Sequence, residues 1–537
     1  MDDFEDDIQE NYILIHQVFI ISPKNIIFVK ITQLLNNFLR IFMKNTLKFT
    51  LLLFFGSFTI SFSSQAQDTL TTERKNFVES GLMLSSGSQT PFWLKTNVLG
   101  VVPNTGQNFM LQAGFYQQYA KKNNVFKKYS WGYGLRTVAN INEKGVDFLL
   151  PEAYLKAKFG IFEIWGGRRQ EVIGLSDSSG LGTGPITWSS NALPMPKVQF
   201  GTPNFVNIAF KGFFAVKVSY AHGWFDNEGD VKNYFLHQKT FYGRIGRPKA
   251  KFKFYAGLTH NVQWSGEHAL PDGTTDIYSR GLPAYISVVI PMKDKPWLNG
   301  VDLSQYQGYD TQYQFGNHSG SFDLGFELTG KKRRAFIYKQ APYEYLATNS
   351  GVTEFEDGLY GIKITNFKNE KVKEFVAEMI YTMNQSRYVS GFYKLIGLPT
   401  ERWEGDDSYF NHGQYTDGFV YKGKTISTPF IFPRNDFKGK LPTDYDQLAL
   451  MSNLVAFHVG MRGTLTPRHI QYQLKMSYAN HYIKDLKTPS RQFSLGINTL
   501  MPIKLFKGSQ LVTNLGFDTG DVYENVLGLS FGVRKSW

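Results

Sequence analysis

Phe322, Leu324, Phe326 and Leu328 alternate with Asp323, Gly325, Glu327 and Thr329. An extended strand sends successive side chains to opposite faces, so this stretch makes one apolar face and one polar face; as a helix it would scatter both. The same period of two returns at Ala153, Leu155, Ala157 and Phe159, at Phe252, Phe254, Ala256 and Leu258, and at Tyr472, Leu474, Met476 and Tyr478. Amphipathic helical patterns are scarce by comparison. The 46 Phe, 30 Tyr and 50 Gly among 537 residues favour strands and turns for the same reasons. With no Cys, a disulfide scaffold and a thiolate metal site are excluded.

Strands of this kind suit either a soluble sandwich or a membrane barrel with its apolar face in lipid. Both ends of the chain favour the barrel. Residues 43–66, "MKNTLKFTLLLFFGSFTISFSSQA", carry a basic start at Lys44 and Lys48, an apolar run, and Ser64-Gln65-Ala66 as a cleavage site. This is the pattern of a signal peptide for export, and is too short for a good spanning helix. Residues 1–42 open on the acidic "MDDFEDDIQE" and read as a mis-called N-terminal extension ahead of a true start at Met43. A membrane helix within residues 26–62 is the rival. At the other end, Leu527, Leu529, Phe531 and Val533 share one face of a final strand, and Trp537 is the last residue. A closing strand with a terminal aromatic resembles the assembly signal of bacterial outer-membrane barrels, which makes the barrel assembly machinery an expected partner through Trp537.

The expected fold is all-β: a transmembrane antiparallel β-barrel of the bacterial outer membrane, formed by residues 67–537 as one domain. At roughly 25–30 residues per strand with its loops, the chain supplies about 16–18 strands. Hydrocarbon cannot satisfy a free sheet edge, so the sheet must close. Lys158–Ile161 reads as a periplasmic turn, whereas 305–320 and 401–417 read as extracellular loops or lumen inserts. Beyond residue 66, 53 Lys+Arg face 39 Asp+Glu, a formal +14. That suits anionic partners; export argues against nucleic acid, and no RNA-binding or zinc-finger fingerprint is present.

Four segments together resemble one family. They are "TPFWLKTNVLG" (90–100), "GGRRQEVIGLSDSSGLGTGPITWSSNALPMPKVQFGTP" (166–203), "LHQKTFYGRIG" with "YAGLTHNVQWSG" (236–246, 255–266), and "GDDSYFNHGQYTDGFVYKGKTISTPF" (405–429). In this order they are similar to the Wzi-type capsule assembly proteins, in their Bacteroidetes branch, over about residues 76–537. The resemblance implies an outer-membrane barrel with lectin-like character that helps attach or assemble capsular or other surface polysaccharide. It also implies no enzymatic activity; contact with outer-membrane lipid and lipopolysaccharide is expected from the barrel and its basic charge. In the enterobacterial form a helical bundle plugs the periplasmic side, and no such bundle is legible here. The competing readings are a porin-like channel for polar solutes and an outer-membrane enzyme acting on lipid or glycan.

The glycine-rich stretch 178–196 is not a phosphate cradle. It has no Gly-Lys-Ser/Thr, and Pro185 stands where a helix would open. It reads instead as an ordered segment inside the lumen, with Trp188 and Asn191 as its ligand-contact candidates. Arg168 and Arg169 just before it form a lumenal ion-pair ladder or a charged constriction. For polysaccharide, Trp403, Tyr409 and Tyr415 offer rings to stack on sugars, and Asn411, His412 and Asp417 offer hydrogen bonds. Segment 305–320 has a similar composition. The His residues show no His-Glu-x-x-His pattern; His260 and His268 near Glu267 make only a weak metal or acid/base candidate. No catalytic residue, metal or cofactor is expected. Lys331-Lys332-Arg333-Arg334 reads as a solvated turn, a headgroup contact or a docking point for an anionic glycan.

Overall fold

The computed structural model describes residues 75–537 other than 123–124, 271, 291–309, 311–314, 345–354, 386–407, 440, 442–448, 467 and 484–485. The signal-peptide and extension readings, and Trp403, fall outside the described residues.

The wall is one antiparallel sheet of 19 strand segments. Two of them, Pro196–Gly201 and Val206–Ala209, both pair with Phe214–Trp224 and form one interrupted strand, so the wall has 18 strands. In chain order these are β1 (Phe77–Ser85), β2 (Gln107–Gln117), β3 (Tyr129–Asn142), β4 (Gly145–Phe159), β5 (Phe162–Arg168), the interrupted β6, and β7 (Phe214–Trp224). Then come β8 (Phe235–Ile245), β9 (Phe252–Trp264), β10 (Asn317–Thr329), β11 (Arg333–Tyr343), β12 (Gly358–Asn366) and β13 (Glu374–Tyr381). Finally come β14 (Leu454–Leu465), β15 (Ile470–His481), β16 (Ser490–Pro502), β17 (Ser509–Gly520) and β18 (Val526–Ser536). Each strand pairs with its sequence neighbour, and β1 pairs with β18 from Phe77↔Ser536 to Ser85↔Gly528, which closes the barrel. Asn317–Gly320, read from sequence as loop, belongs to β10. It pairs with β9 from Gln263 to His260, so the ladder extends further than the polar composition indicated.

Burial along the strands is the inverse of a soluble protein's. In β10, Asp323 is 1% exposed and Phe326 40%. In β15, Lys475 is buried while Met476 and Tyr478 are exposed; in β18, Leu527, Leu529 and Phe531 are exposed. The apolar faces read from the sequence are the outer faces, and the polar faces line the lumen, as a lipid-embedded barrel requires. Gly160 and Ile161 alone join β4 to β5. The short links 160–161, 210–213, 246–251 and 330–332 lie at the end where β1 begins and β18 finishes, the periplasmic end of an outer-membrane barrel; the long links 86–106, 169–195, 265–316 and 382–453, with the tight turn at 143–144, lie at the opposite end.

Candidate functional site: an occluded lumen

Three of those long links turn inward. Together they carry most of the main apolar core, which includes Phe92, Trp93, Ile186, Trp188, Phe410, Phe419 and Ile431 and reaches Val138 on one wall and Tyr338, Ile380 and Ala479 on another. The lumen therefore holds a core of its own.

The first insert, 86–106, contains a single helical turn, α1 (Phe92–Lys95). It lies against the wall because Gly496, Gly516 and Gly528 stand side by side in register on β16, β17 and β18. A Cβ at Gly496 would come within 2.6 Å of the Trp93 Cβ, and one at Gly516 or Gly528 within 2.6 Å of Pro91. No side chain fits in this trough, so "TPFWLK" and three distant glycines are one contact. Polar bonds fix it: the Phe92 N–H donates to Asp518 Oδ2 at 2.7 Å and Trp93 Nε1 to Ser477 Oγ at 3.1 Å.

The second insert, 169–195, is a tongue. Its neck is closed by a bridge between Ile173 and Trp188. Its tip, 177–182, descends to the ends of β13–β15 nearest the short turns, where Arg462 donates to the Ser179 carbonyl at 3.3 Å and Gln473 to the Gly180 carbonyl at 2.9 Å. Asp177 clasps the tip. It accepts from Lys363 Nζ at 2.7 Å, from the Ser179 N–H and hydroxyl, and from the N–H groups of Leu181 and Gly182 at 2.7 and 3.0 Å. Burial pushes the Asp177 carboxyl up, but the Lys363 ammonium and these donors outweigh it and hold it well below the usual carboxylate range. Further wall bonds run from the Leu175 N–H to Asp323, from the Thr183 N–H to Glu378 and from the Ile186 N–H to Gln340.

The third insert runs from 408 to 453. Ser189 N–H donates to the Ile426 carbonyl at 2.9 Å and Thr428 N–H to the Ile186 carbonyl at 3.1 Å, joining it to the tongue.

The two ligand-contact candidates in the tongue are absorbed by this packing. Trp188 is buried with Lys197 Nζ 4.5 Å from its ring centre. Asn191 is buried, donates to the Thr425 carbonyl at 3.2 Å and accepts from the Asn97 N–H at 3.4 Å. Arg168 donates to the Pro194 carbonyl at 3.1 Å, and Arg169 pairs with Glu163 at 2.7 Å inside the lumen.

The sugar-stacking cluster is placed differently from the sequence reading. Tyr409 and Tyr415 are fully buried. The Tyr409 hydroxyl donates to Asp357 at 2.8 Å and the Tyr415 hydroxyl to the Ser265 carbonyl at 3.0 Å. Tyr234, Tyr278 and His412 pack around Tyr415. Asn411 is spent on both backbone groups of Leu450, and Asp417 accepts from the Asp230 N–H at 2.8 Å. These aromatics are apolar enough to be core, and no ring face of Tyr409 or Tyr415 is left open for a pyranose. His268 sits on a separate hairpin, paired with Val231 and Asp276 rather than with His260.

Sequence reasoning passed over the open space of the lumen. Between the tongue and β5–β8 lies a cavity of about 280 Å³ whose lining includes Glu163, Arg169, Glu171, Lys217, Trp165 and Phe205. Glu163 pairs with Arg169, and Glu171 pairs with Lys197 at 2.5 Å. Burial pushes the Glu171 carboxyl up, but Lys197 and Arg169 outweigh that and hold it below its usual value. Lys217 has no ion-pair partner among the described residues; counting Lys197, which stands behind Glu171 outside the lining, the charged groups here sum to one excess positive charge. A second cavity of about 250 Å³, beside α1, holds Arg136 and Arg534 with Glu79; Arg534 pairs with Glu79 at 3.2 Å. Arg136 stands opposite the buried Glu152 of β4. The signal for both was inward-facing Lys and Arg on wall strands, visible only once the register is known.

No family model and no curated protein matches the chain. Solved outer-membrane barrels do match in outline. OccK11 (OpdR) of Pseudomonas aeruginosa is 7% identical, with a TM-score of 0.42 over 86% of this chain and 94% of that one. OccAB2 of Acinetobacter baumannii is 8% identical, with a TM-score of 0.40 over 86% and 97%. A loop-deletion form of OmpT, an outer membrane protein of Vibrio cholerae, is 9% identical, with a TM-score of 0.32 over 86% and 97%. One sequence-based expectation is corrected here. Absence of enzymatic activity is not retained as a statement about this chain. The chain is an outer-membrane β-barrel with an occupied lumen.

Proposed function

We propose that this barrel is a porin-like channel for small polar solutes, constricted by its inserted segments and favouring anions. The carrying observation is the 280 Å³ cavity beside the tongue, where Arg169 and Lys197 neutralise both carboxylates and Lys217 remains over. A charged wall with low-dielectric surroundings concentrates counter-ions. Purified protein in planar bilayers tests this. Small conductance steps are expected, with a reversal potential in a salt gradient on the anion-selective side; cation selectivity or a silent membrane would refute it.

A second reading is association with surface polysaccharide, to which the Wzi-like segments point. It is favoured by the inserts, which fill the lumen with a packed core. Its test is gene deletion followed by staining for cell-attached against shed polysaccharide. An unchanged ratio removes it.

A further inference from the structure

On the outer wall at β7–β10, the lipid-facing pattern is broken. Phe241 is 55% exposed on the outer face of β8. Residues at alternate positions above it, Lys239 and His237, share that face and pair with Tyr220 and His222 of β7. Across β9 and β10 the same face carries His260 and His318, whose rings are hydrogen-bonded, Nε2 to Nδ1, at 2.9 Å. His237, His260 and His318 therefore point away from the lumen, yet they are 0–2% exposed.

They are buried because a helix from the 265–316 link, α2 (Leu282–Val289), lies across them outside the barrel. The Tyr285 hydroxyl is 2.6 Å from that of Tyr220, and its ring contacts His237 and Trp264. Val288 packs with Val262, Trp264 and Phe315. Lys239 donates to the Val289 carbonyl at the helix C-terminus, where a cation is favoured. Ser287, the one residue of LPAYISVV besides Tyr285 with a side-chain hydroxyl, turns its hydroxyl onto the Pro283 carbonyl at 3.0 Å. The opposite face is apolar, with Leu282 70% and Ile290 42% exposed.

Depth decides what meets that face. Lys239 lies four residues below the upper end of β8 at Phe235, about 13 Å along the strand. That is below Trp224 and Trp264 at the upper ends of β7 and β9, at the level of acyl chains rather than headgroups. Imidazoles and an ammonium there are costly against hydrocarbon, while a helix satisfies its own backbone and is tolerated in lipid. We propose that α2 is embedded in the outer leaflet as a roof over this polar stripe, and that the partner of its exposed face is lipid acyl chain, continuous with the belt that begins at Phe241. This goes beyond the channel reading and depends only on the barrel.

The chain has no Cys, so single-cysteine labelling is clean. Leu282→Cys and Ile290→Cys carry bimane in vesicles of phosphatidylcholine with nitroxide-labelled acyl chains. Phe241→Cys is the lipid reference and Asp272→Cys, on an exposed loop, the aqueous one. Each variant is first shown to be folded by its heat-modifiable gel mobility. Both α2 sites are expected to be quenched by the labelled lipid to within about twofold of Phe241→Cys, and to resist iodide. Iodide quenching like that of Asp272→Cys overturns the proposal. Protection from both quenchers overturns it too, since that means a protein surface, such as a second copy, covers the helix.

Discussion

Asp177→Ala should unlock the tongue. The carboxylate is 3% exposed, pairs with Lys363 at 2.7 Å, and satisfies two buried backbone N–H groups, those of Leu181 and Gly182. Removing one partner of a buried charge pair costs about 3–5 kcal/mol. Glu374, at 3.4 Å from Lys363, still compensates that ammonium, so the low end, about 3 kcal/mol, applies. At about 1.4 kcal/mol per factor of ten, the released state gains roughly a hundredfold in population. In planar bilayers the time spent in a larger open level should rise by about that factor. The wall strands are untouched, so the heat-modifiable gel mobility of the folded barrel should stay near wild type. Because the folded pKa is depressed, the clasp's contribution is complete above the ordinary carboxylate pKa near 4 and fades only as pH falls through the lower folded value. Opening through this group should therefore be flat from about pH 5 to 8. A folded Asp177→Ala barrel whose current traces match wild type would refute the clasp.

Gly516→Leu should expel α1 from its trough, since even a Cβ would meet Pro91 at 2.6 Å; overpacking of this kind costs about 1–3 kcal/mol, read as a lowered melting temperature and faster proteolysis of segment 86–106. Lys217→Gln removes the excess charge of the larger cavity and should shift the reversal potential towards cations without changing thermal stability. Lys95 is buried in α1 and its pKa is lowered to about 8, chiefly by desolvation and next by Lys424. A base whose folded pKa lies below its unfolded one destabilises at low pH, and the penalty disappears as pH rises from about 8 past 10. Lys95→Met should therefore stabilise the barrel at pH 7 by thermal melt and lose that advantage above pH 10.

The wall was legible because its signal is local. Each apolar outer face, such as Leu527, Leu529 and Phe531, is written within one strand, and lipid demands it without regard to the rest of the chain. The lumen was legible only in outline. The sequence marks 178–196 as ordered and unfit for phosphate, but Asp177 meets Lys363 across 186 residues, and no periodicity links them. The aromatic run at 409–415 resembles a sugar platform because carbohydrate sites and buried cores draw on the same residues; what separates them is whether Tyr234 and Tyr278 already occupy the ring faces. The His stripe under α2 is hidden for a third reason. Its residues fall on the outer face of strands whose other positions are apolar, which looks like a fault in the pattern until a helix is found to cover it.

The tongue has two kinds of boundary, and they differ in how readily they part. Against β10–β14 it is held by side chains of the polar wall: Asp323, Gln340, Lys363, Glu378, His458 and Arg462. Against the other two inserts it is held by apolar packing, with the Trp188 ring against Phe419 and Ile186 at 0% exposure, and by backbone bonds. Water can replace the partners on the first boundary, but it cannot replace the second without exposing apolar surface at about 25 cal/mol per Å². On the channel reading, the passage therefore opens along the seam between tongue and wall. The three inserts then move, if they move, as one packed body, which is why a single substitution at the wall clasp is expected to do more than one within their shared core.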